Sequence, residues 1–233
     1  MNLDKSPSTM IGMFNSLAGR YDIVNDIMTA FTHRHTKKVA IQLSGFKPGQ
    51  RALDLATGTG DLTFLLLKEA RGTVIGTDIS TEMLLKALTR SQRINIQGNA
   101  IFKQVDINNL PFLEEVFDVC MIGYGIRNVQ NPLSAMKEVQ RVTKKKGRLI
   151  IVEATPPTNK FMRFITLFYF RKIAPLIANL FFSNARAYYY LAESISQFPK
   201  ASDFAKIIKQ AGWKKVVYYP MYFGIVTIFL AIK

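Results

Sequence analysis

This chain of 233 residues has one cysteine, two histidines and one tryptophan. With Cys120 as its single thiol, set in the apolar run Phe117 to Ile122, no intrachain disulfide can form, and a buried reduced thiol is expected. A membrane span needs about 20 largely uncharged apolar residues. None exists: the most apolar stretch, Phe161 to Ala185, is cut by Arg163, Arg171, Lys172 and Pro175. Met1 to Thr9 is polar, without the basic start and apolar stretch of a secretory leader, so a cytoplasmic location is expected. No ligand-spaced Cys and His cluster marks a metal site. Acid is scarce as well, 16 Asp and Glu against 31 Lys and Arg, and the net charge of +15 favours an anionic partner. What is present is 48% apolar residue in regular patterns, enough for one domain with a sizeable core, and no repeat or low-complexity tract.

From Arg51 onward strand and helix signals alternate, which predicts a parallel sheet covered on both faces. Strands are expected at Arg51 to Leu55, Thr73 to Thr77, Ala100 to Val105, Phe117 to Ile122 and Arg148 to Glu153. Helices are expected at Asp61 to Ala70, Ser80 to Ser91, Pro132 to Val142 with Pro near its start, and Ser202 to Ala211 with a Gly212 stop. Lys144 to Gly147 reads as a basic turn, and Lys214 to Tyr219 with Gly224 to Ala231 as a terminal strand pair. The whole is a seven-stranded Rossmann-like α/β sheet with N-terminal helices and a helical insertion after strand five. It forms one domain: residues 1–45 a cap, 46–155 a cofactor core, 156–199 an aromatic, basic insertion, 200–233 a closing helix and strand pair.

The most telling segment is Leu53-Asp54-Leu55-Ala56-Thr57-Gly58-Thr59-Gly60-Asp61, with Asp78 about 20 residues after Gly58 at the tip of the next strand. Gly58 and Gly60 allow a tight turn before a helix whose N-terminus faces the ligand, and Asp78 can accept both hydroxyl protons of a ribose. Taken singly these are weak: many Gly-Thr-Gly tripeptides are ordinary turns, and an Asp ending a strand often caps the helix that follows. A dinucleotide loop wants Gly or Ala where Thr63 stands, so S-adenosylmethionine fits better than NAD. Asp54, an acid inside a strand, needs partners. It either braces the loop amides or meets the cofactor's ammonium.

Two regions lie outside the sheet, and substrate choice should live there. Ile11 to Leu43 reads as helices over the cofactor mouth. Pro156 to Pro199 is longer than a usual connection and carries Phe161, Phe164, Phe168, Tyr169, Phe170, Phe181, Phe182, Tyr188, Tyr189, Tyr190 and Phe198 beside Lys160, Arg163, Arg171, Lys172 and Arg186. This stretch is a helical cap with a solvated cationic face, an interfacial helix on anionic lipid, or a nucleic-acid surface. Each cation near a lipid surface adds roughly 1 kcal/mol. Nucleic acid is disfavoured, because the place after strand four where base-amine methylators carry Pro-Pro-aromatic reads Gly123-Tyr124-Gly125-Ile126-Arg127-Asn128.

Several segments in order along nearly the whole chain resemble the C-methyltransferases of ubiquinone and menaquinone biosynthesis: Phe14 to Asp22 with Asn25-Asp26, His33-Arg34, the Leu53 to Thr63 loop, Leu110-Pro111-Phe112, Gly125 to Val129, and Tyr190 to Ile195 with Phe198-Pro199. The resemblance implies a class I methyltransferase fold and S-adenosylmethionine held by Asp54, Gly58, Thr59, Gly60, Asp78 and Ile79, with Asp106 and Ile107 flanking its adenine. It implies methyl transfer to a ring carbon of a prenylated hydroquinone, with Tyr21, Arg127 and Asn128 around the acceptor. Arg127 would stabilise a phenolate or an activated water, Asn128 would orient and Tyr21 relay. His33 has a suitable pKa for base work, or else is a surface or capping histidine beside Arg34. A prenylated substrate would explain the aromatic, basic insertion, since the enzyme must then work at the inner face of a membrane, alone, as a homodimer or in a complex of quinone enzymes. This chain departs from the pattern at Thr57 for a glycine, Gly123 for a serine, His35-Thr36 for a tryptophan after His-Arg, and in the Phe223 to Lys233 tail. The competing readings are a class I methyltransferase of another lipid, small molecule or nucleic acid, and a non-catalytic cofactor-binding scaffold. Asp54, Gly58, Gly60 and Asp78 argue against a dead site.

Overall fold

The computed structural model of the protein describes residues 3–17, 32–94, 96, 99–173 and 186–233. Its elements run α1 Pro7–Leu17, α2 Thr32–Ser44, β1 Arg51–Leu55, α3 Asp61–Glu69, β2 Thr73–Asp78, α4 Thr81–Arg93, β3 Ala100–Gln104, β4 Phe117–Gly123, a 3₁₀ turn Ile126–Asn128, α5 Pro132–Val142, β5 Thr143–Ala154, α6 Lys160–Phe168 continued by a π turn Tyr169–Ile173, α7 Arg186–Gln197, α8 Ala201–Gln210, β6 Lys215–Met221, a turn Tyr222–Gly224, and β7 Val226–Ile232. The strands make one sheet in the order β3-β2-β1-β4-β5-β7-β6, parallel except for β7, which runs antiparallel between β5 and β6.

Successive side chains of a strand face opposite ways, so each central strand feeds two cores. Leu53 and Leu55 of β1 pack with Phe117, Ile151, Phe204 and Phe229 on the face covered by α5 and α8. Ala52 packs with Val119, Ile150, Leu66 and Ile41 on the face covered by α2 and α3. By the same alternation Asp54 turns toward α3, and that decides its partners.

The strand order reverses between β1 and β4, and ligands of open α/β sheets bind in the crevice beyond the strand ends at such a point. Helix starts agree with local chemistry where a cap exists: Ser80 Oγ accepts from Met83 N at 3.2 Å, and Asn131 Oδ1 accepts from Ser134 N at 3.1 Å ahead of Pro132.

Three expectations are corrected. Lys144 to Gly147 is a bulged start of β5 rather than a free turn: the pairing jumps from Phe117–Thr143 to Val119–Arg148, with Lys146 at φ 63°. Helix α8 starts at Ala201, not Ser202, and Lys200 before it offers no side-chain cap. The closing strands run to Met221 and start at Val226, and Pro220 is tolerated because β6 is an edge strand. Tyr21, Asn25 and Asp26 lie outside the described residues.

Candidate active site

β1 ends in a turn of left-handed residues, Ala56 at φ 52°, Gly58 at 56° and Gly60 at 90°. Gly60 is the residue before α3, and a Cβ there would meet the Phe64 ring at 2.8 Å, so both its φ and its space demand glycine. Across the crevice, Gly125 comes so close to Ala56 that a Cβ on it would lie 2.5 Å from the alanine Cβ. The two loops are packed backbone to backbone. They leave a cavity on each side, and Ala56, Gly58, Gly123 and Tyr124 wall both.

The smaller cavity is lined by Asp78, Ile79, Met83, Val105, Asp106, Ile107 and Asn128, with Met10 and Phe14 of α1 over it. α1 is tied there by Ser80 Oγ donating to Asn15 Oδ1 at 2.6 Å. Asp78 Oδ2 accepts from Gly58 N and Oδ1 from Ser80 N, each at 2.9 Å, so the carboxylate joins the glycine loop to α4 while its outer lone pairs can still receive hydroxyls. Burial raises its pKa against the pull of those amides. Asp106 Oδ1 accepts from Asn108 N at 2.9 Å. A carboxylate pair with isoleucine and methionine between them suits an adenosine.

The larger cavity, about 470 Å³, is lined by the polar and charged residues Asp54, Thr59, His33, Lys37 and Arg127 and by the apolar residues Met162, Ile165, Leu191, Ile195, Ile225 and Val226. Asp54 Oδ2 accepts from Thr57 Oγ1 at 2.6 Å, Thr63 Oγ1 at 2.8 Å and Thr63 N at 3.0 Å, whereas Oδ1 is buried with no partner. Burial pushes its pKa up to about 6. One oxygen therefore braces the loop, and the other is an acceptor in want of a donor, which fits the ammonium of S-adenosylmethionine. The two threonines had no assigned role in the sequence reading beyond the exclusion of NAD. The Thr57 hydroxyl adds a donor to Asp54.

Next to this, Lys37 Nζ and Arg90 Nη2 bind the two oxygens of Asp61 at 2.7 and 2.8 Å. Burial works against ionisation of Asp61, but these two cations outweigh it and hold the pKa at about 2. Arg90 Nη1 also donates to the Thr59 hydroxyl and carbonyl, both at 2.9 Å, so the Thr59 side chain serves the loop. Gly60 shapes the turn and lines neither cavity.

His33, in the first turn of α2, is 6% exposed and lines the larger cavity. Arg127 and Asn128 share the 3₁₀ turn but serve different cavities. Arg127 Nη1 donates to Glu153 Oε1 at 2.7 Å and to the Tyr124 carbonyl, and its backbone N donates to Glu153 Oε2 at 3.1 Å. Asn128 Oδ1 accepts from Tyr190 Oη at 3.0 Å. Burial, opposed by Arg127, pushes the Tyr190 hydroxyl up to about 12, so it acts as a neutral donor.

Glu153 was not among the expected site residues. Its signal was there: an acid closing the apolar run Leu149 to Val152, fully buried in the structure. Tyr124, at the waist between the cavities, was also missed, and burial holds its hydroxyl well above the ordinary tyrosine range. A Cβ on Gly123 would press on Leu62 Cδ1 at 2.7 Å.

The model of the ubiE/COQ5 methyltransferase family matches residues 3–233. The chain belongs to this family. Membership makes it an S-adenosylmethionine-dependent C-methyltransferase. Among its relatives is the ubiquinone/menaquinone biosynthesis C-methyltransferase UbiE of Shewanella sp. strain ANA-3, 37% identical over 227 residues, 97% of this chain and 90% of that one. The protein of the same name in Pseudomonas savastanoi pv. phaseolicola is 38% identical over 223 residues, 95% and 87% of the two chains. In fold the family member resembles a SAM-dependent methyltransferase from Aquifex aeolicus, TM-score 0.63 at 17% identity over 94% and 97% of the two chains. It also resembles phosphoethanolamine N-methyltransferase 2 of Haemonchus contortus in complex with S-adenosyl-L-methionine, TM-score 0.64 at 16% identity over 85% and 52%.

Proposed function

We propose that this methyltransferase acts on a ring carbon of a prenylated hydroquinone, a demethylmenaquinol or a benzoquinol precursor of ubiquinone. The observation that carries the reading is the mixed lining of the larger cavity: Arg127, His33 and Asp54 supply polar and charged groups, and Met162, Ile165, Leu191, Ile195, Ile225 and Val226 supply apolar wall. A polar aromatic head and an apolar tail match those two kinds of lining. The relatives' names support the same substrate class.

S-adenosylmethionine, when bound, supplies an electrophilic methyl group on a sulfonium. Asp54 Oδ1 receives its ammonium, Asp78 its ribose hydroxyls, and Ile79, Asp106 and Ile107 its adenine. The chain's main contribution to rate is then alignment of the ring carbon with the methyl, which is worth several kcal/mol, about 7–11 in the best cases. The ring carbon becomes nucleophilic as its neighbouring hydroxyl loses a proton. Arg127 cannot take that proton, since its pKa exceeds about 12, but its guanidinium can stabilise the phenolate. His33 can take it near neutral pH. Tyr21 relays, while Asn128, held by Tyr190, lines the cofactor cavity and is not assigned to the acceptor.

In this reading the chain is one domain: residues 1–45 cap the cofactor, 46–155 hold it, 156–199 receive the acceptor and 200–233 close the sheet. Because the tail belongs to a bilayer and no helix among the described residues is long and apolar enough to cross one, the enzyme works peripherally, at the inner face of a membrane. Transfer of labelled methyl to reduced demethylmenaquinone and to its benzoquinol counterpart in vesicles tests this, beside an Arg127→Ala control. Product that disappears in the control supports it. No product, despite measurable cofactor binding, would sink it.

A further inference from the structure

Helix α6 is apolar on both sides. Met162, Ile165, Thr166 and Tyr169, at helical spacing, line the larger cavity. Phe161, Phe164 and Phe168, on the next stripe, are 69%, 67% and 50% exposed, far more than a soluble core-facing helix leaves in water. A fourth exposed aromatic lies on the turn after β6. In the Tyr222–Gly224 turn all three residues are left-handed, with φ of 50°, 58° and 86°, and Phe223 is 80% exposed.

Two of these three residues are not glycine, so the turn holds a conformation that L side chains resist, and such strain gathers at functional positions. The surroundings hold it in place: Thr155 Oγ1 donates to the Gly224 carbonyl at 2.9 Å, and Tyr222 Oη bonds His35 Nδ1 at 2.8 Å. A Cβ on Gly224 would lie 3.7 Å from Pro157 Cα, just ahead of the Asn159 cap of α6, so the turn sits at the start of that helix. Tyr222 and Ile225, on either side of Phe223 and Gly224, line the cavity that α6 lines.

We propose that the outer stripe of α6 and Phe223 form one docking surface for an anionic lipid bilayer, set around the mouth of the acceptor cavity. Charge commits the occupant to lipid: Lys160, Arg163, Arg171 and Lys172 accompany the aromatics, and a chain of net +15 repels a second copy of itself. The aromatics enter the interface and the cations meet headgroups. A prenyl tail then passes from bilayer to cavity along α6 without crossing water. The inference rests on the acceptor being prenylated, as read above.

The test is co-flotation with vesicles of phosphatidylcholine and phosphatidylglycerol, with methyl transfer to a soluble short-chain hydroquinone measured in parallel. A Phe161→Ser/Phe164→Ser/Phe223→Ser variant alters no cavity-lining residue. It is expected to lose vesicle partition by about tenfold or more, while keeping cofactor affinity and turnover of the soluble acceptor. Phe223→Gly guards against a damaged fold, because relief of the left-handed strain should raise its Tm while its partition falls. Wild-type partition in the triple variant would overturn the proposal. So would a wild-type dimer in sedimentation that the triple variant loses, since a second copy would then cover the face. If the wild-type enzyme fails on the soluble hydroquinone, the acceptor reading fails, and flotation still decides the docking surface.

Discussion

At the residue scale the site depends on buried and half-buried acids. Asp54 has a pKa raised to about 6, so it is neutral below that pH and charged above. Its raised value favours the fold below the ordinary carboxylate range and loses that contribution as pH rises through about 6. A cationic ammonium favours the charged form, so cofactor affinity should weaken as pH falls through about 6, and Asp54→Asn should flatten the profile. Calorimetric titration between about pH 5 and pH 8 reads both. Asp61 works with the opposite sign. Held at about 2 by Lys37 and Arg90, it stabilises the fold above the ordinary aspartate value of 3.8 and loses that contribution as pH falls toward 2. Asp61→Asn should therefore lower Tm at neutral pH, with the difference shrinking below about pH 3. Glu153 grips Arg127 at its backbone and at its guanidinium. Glu153→Gln should lower kcat by about ten- to a hundredfold with the cofactor Kd little changed, whereas a merely structural role would move both together. Asp54, Gly58 and Asp78 were legible because their residue types and spacing are local. Glu153 and Tyr124 were not, because an acid ending a strand reads as solvent-facing until β7 and the 3₁₀ turn cover it.

At the scale of elements, α8 illustrates what holds the sheet's far face. It buries Phe204 and Ile208 completely, and the Phe204 ring packs between Phe198 at 4.9 Å and Phe229 at 5.2 Å. Phe204→Ala should cost about 3–5 kcal/mol in denaturant unfolding while the cofactor Kd of the folded fraction stays unchanged. The helix pattern of this segment was readable from its apolar spacing. Its start was displaced by one residue because Ser202 resembles a cap, whereas packing of Ala201 against the core sets the boundary. The β5 start was misread for a related reason. Four residues rich in charge and ending in glycine suggest a turn, but pairing with β4 on one side and β7 on the other draws them into a bulged strand.

Over the whole molecule, charge and shape act together. A whole-chain net charge of +15, together with a basic insertion, should make vesicle binding fall with added salt, since the Debye length shrinks to about 8 Å at physiological ionic strength. Charge reversal at Arg163, Arg171 and Lys172 should weaken binding to anionic vesicles and spare cofactor affinity, and unchanged flotation would refute the electrostatic part. The sequence by itself determined the α/β class, the succession of strands and helices in the cofactor half and the cofactor's identity, because periodicity, glycine turns and acid spacing act over about 30 residues. Only the tertiary structure decided that His33 faces a cavity, that Arg127 and Asn128 look into different cavities, that Thr57 and Thr63 hold one oxygen of Asp54 and leave the other for a donor, and that α6 turns one apolar stripe to the substrate cavity and another outward. Each of these depends on which distant segment covers a side chain, and burial by a distant segment has no local signature.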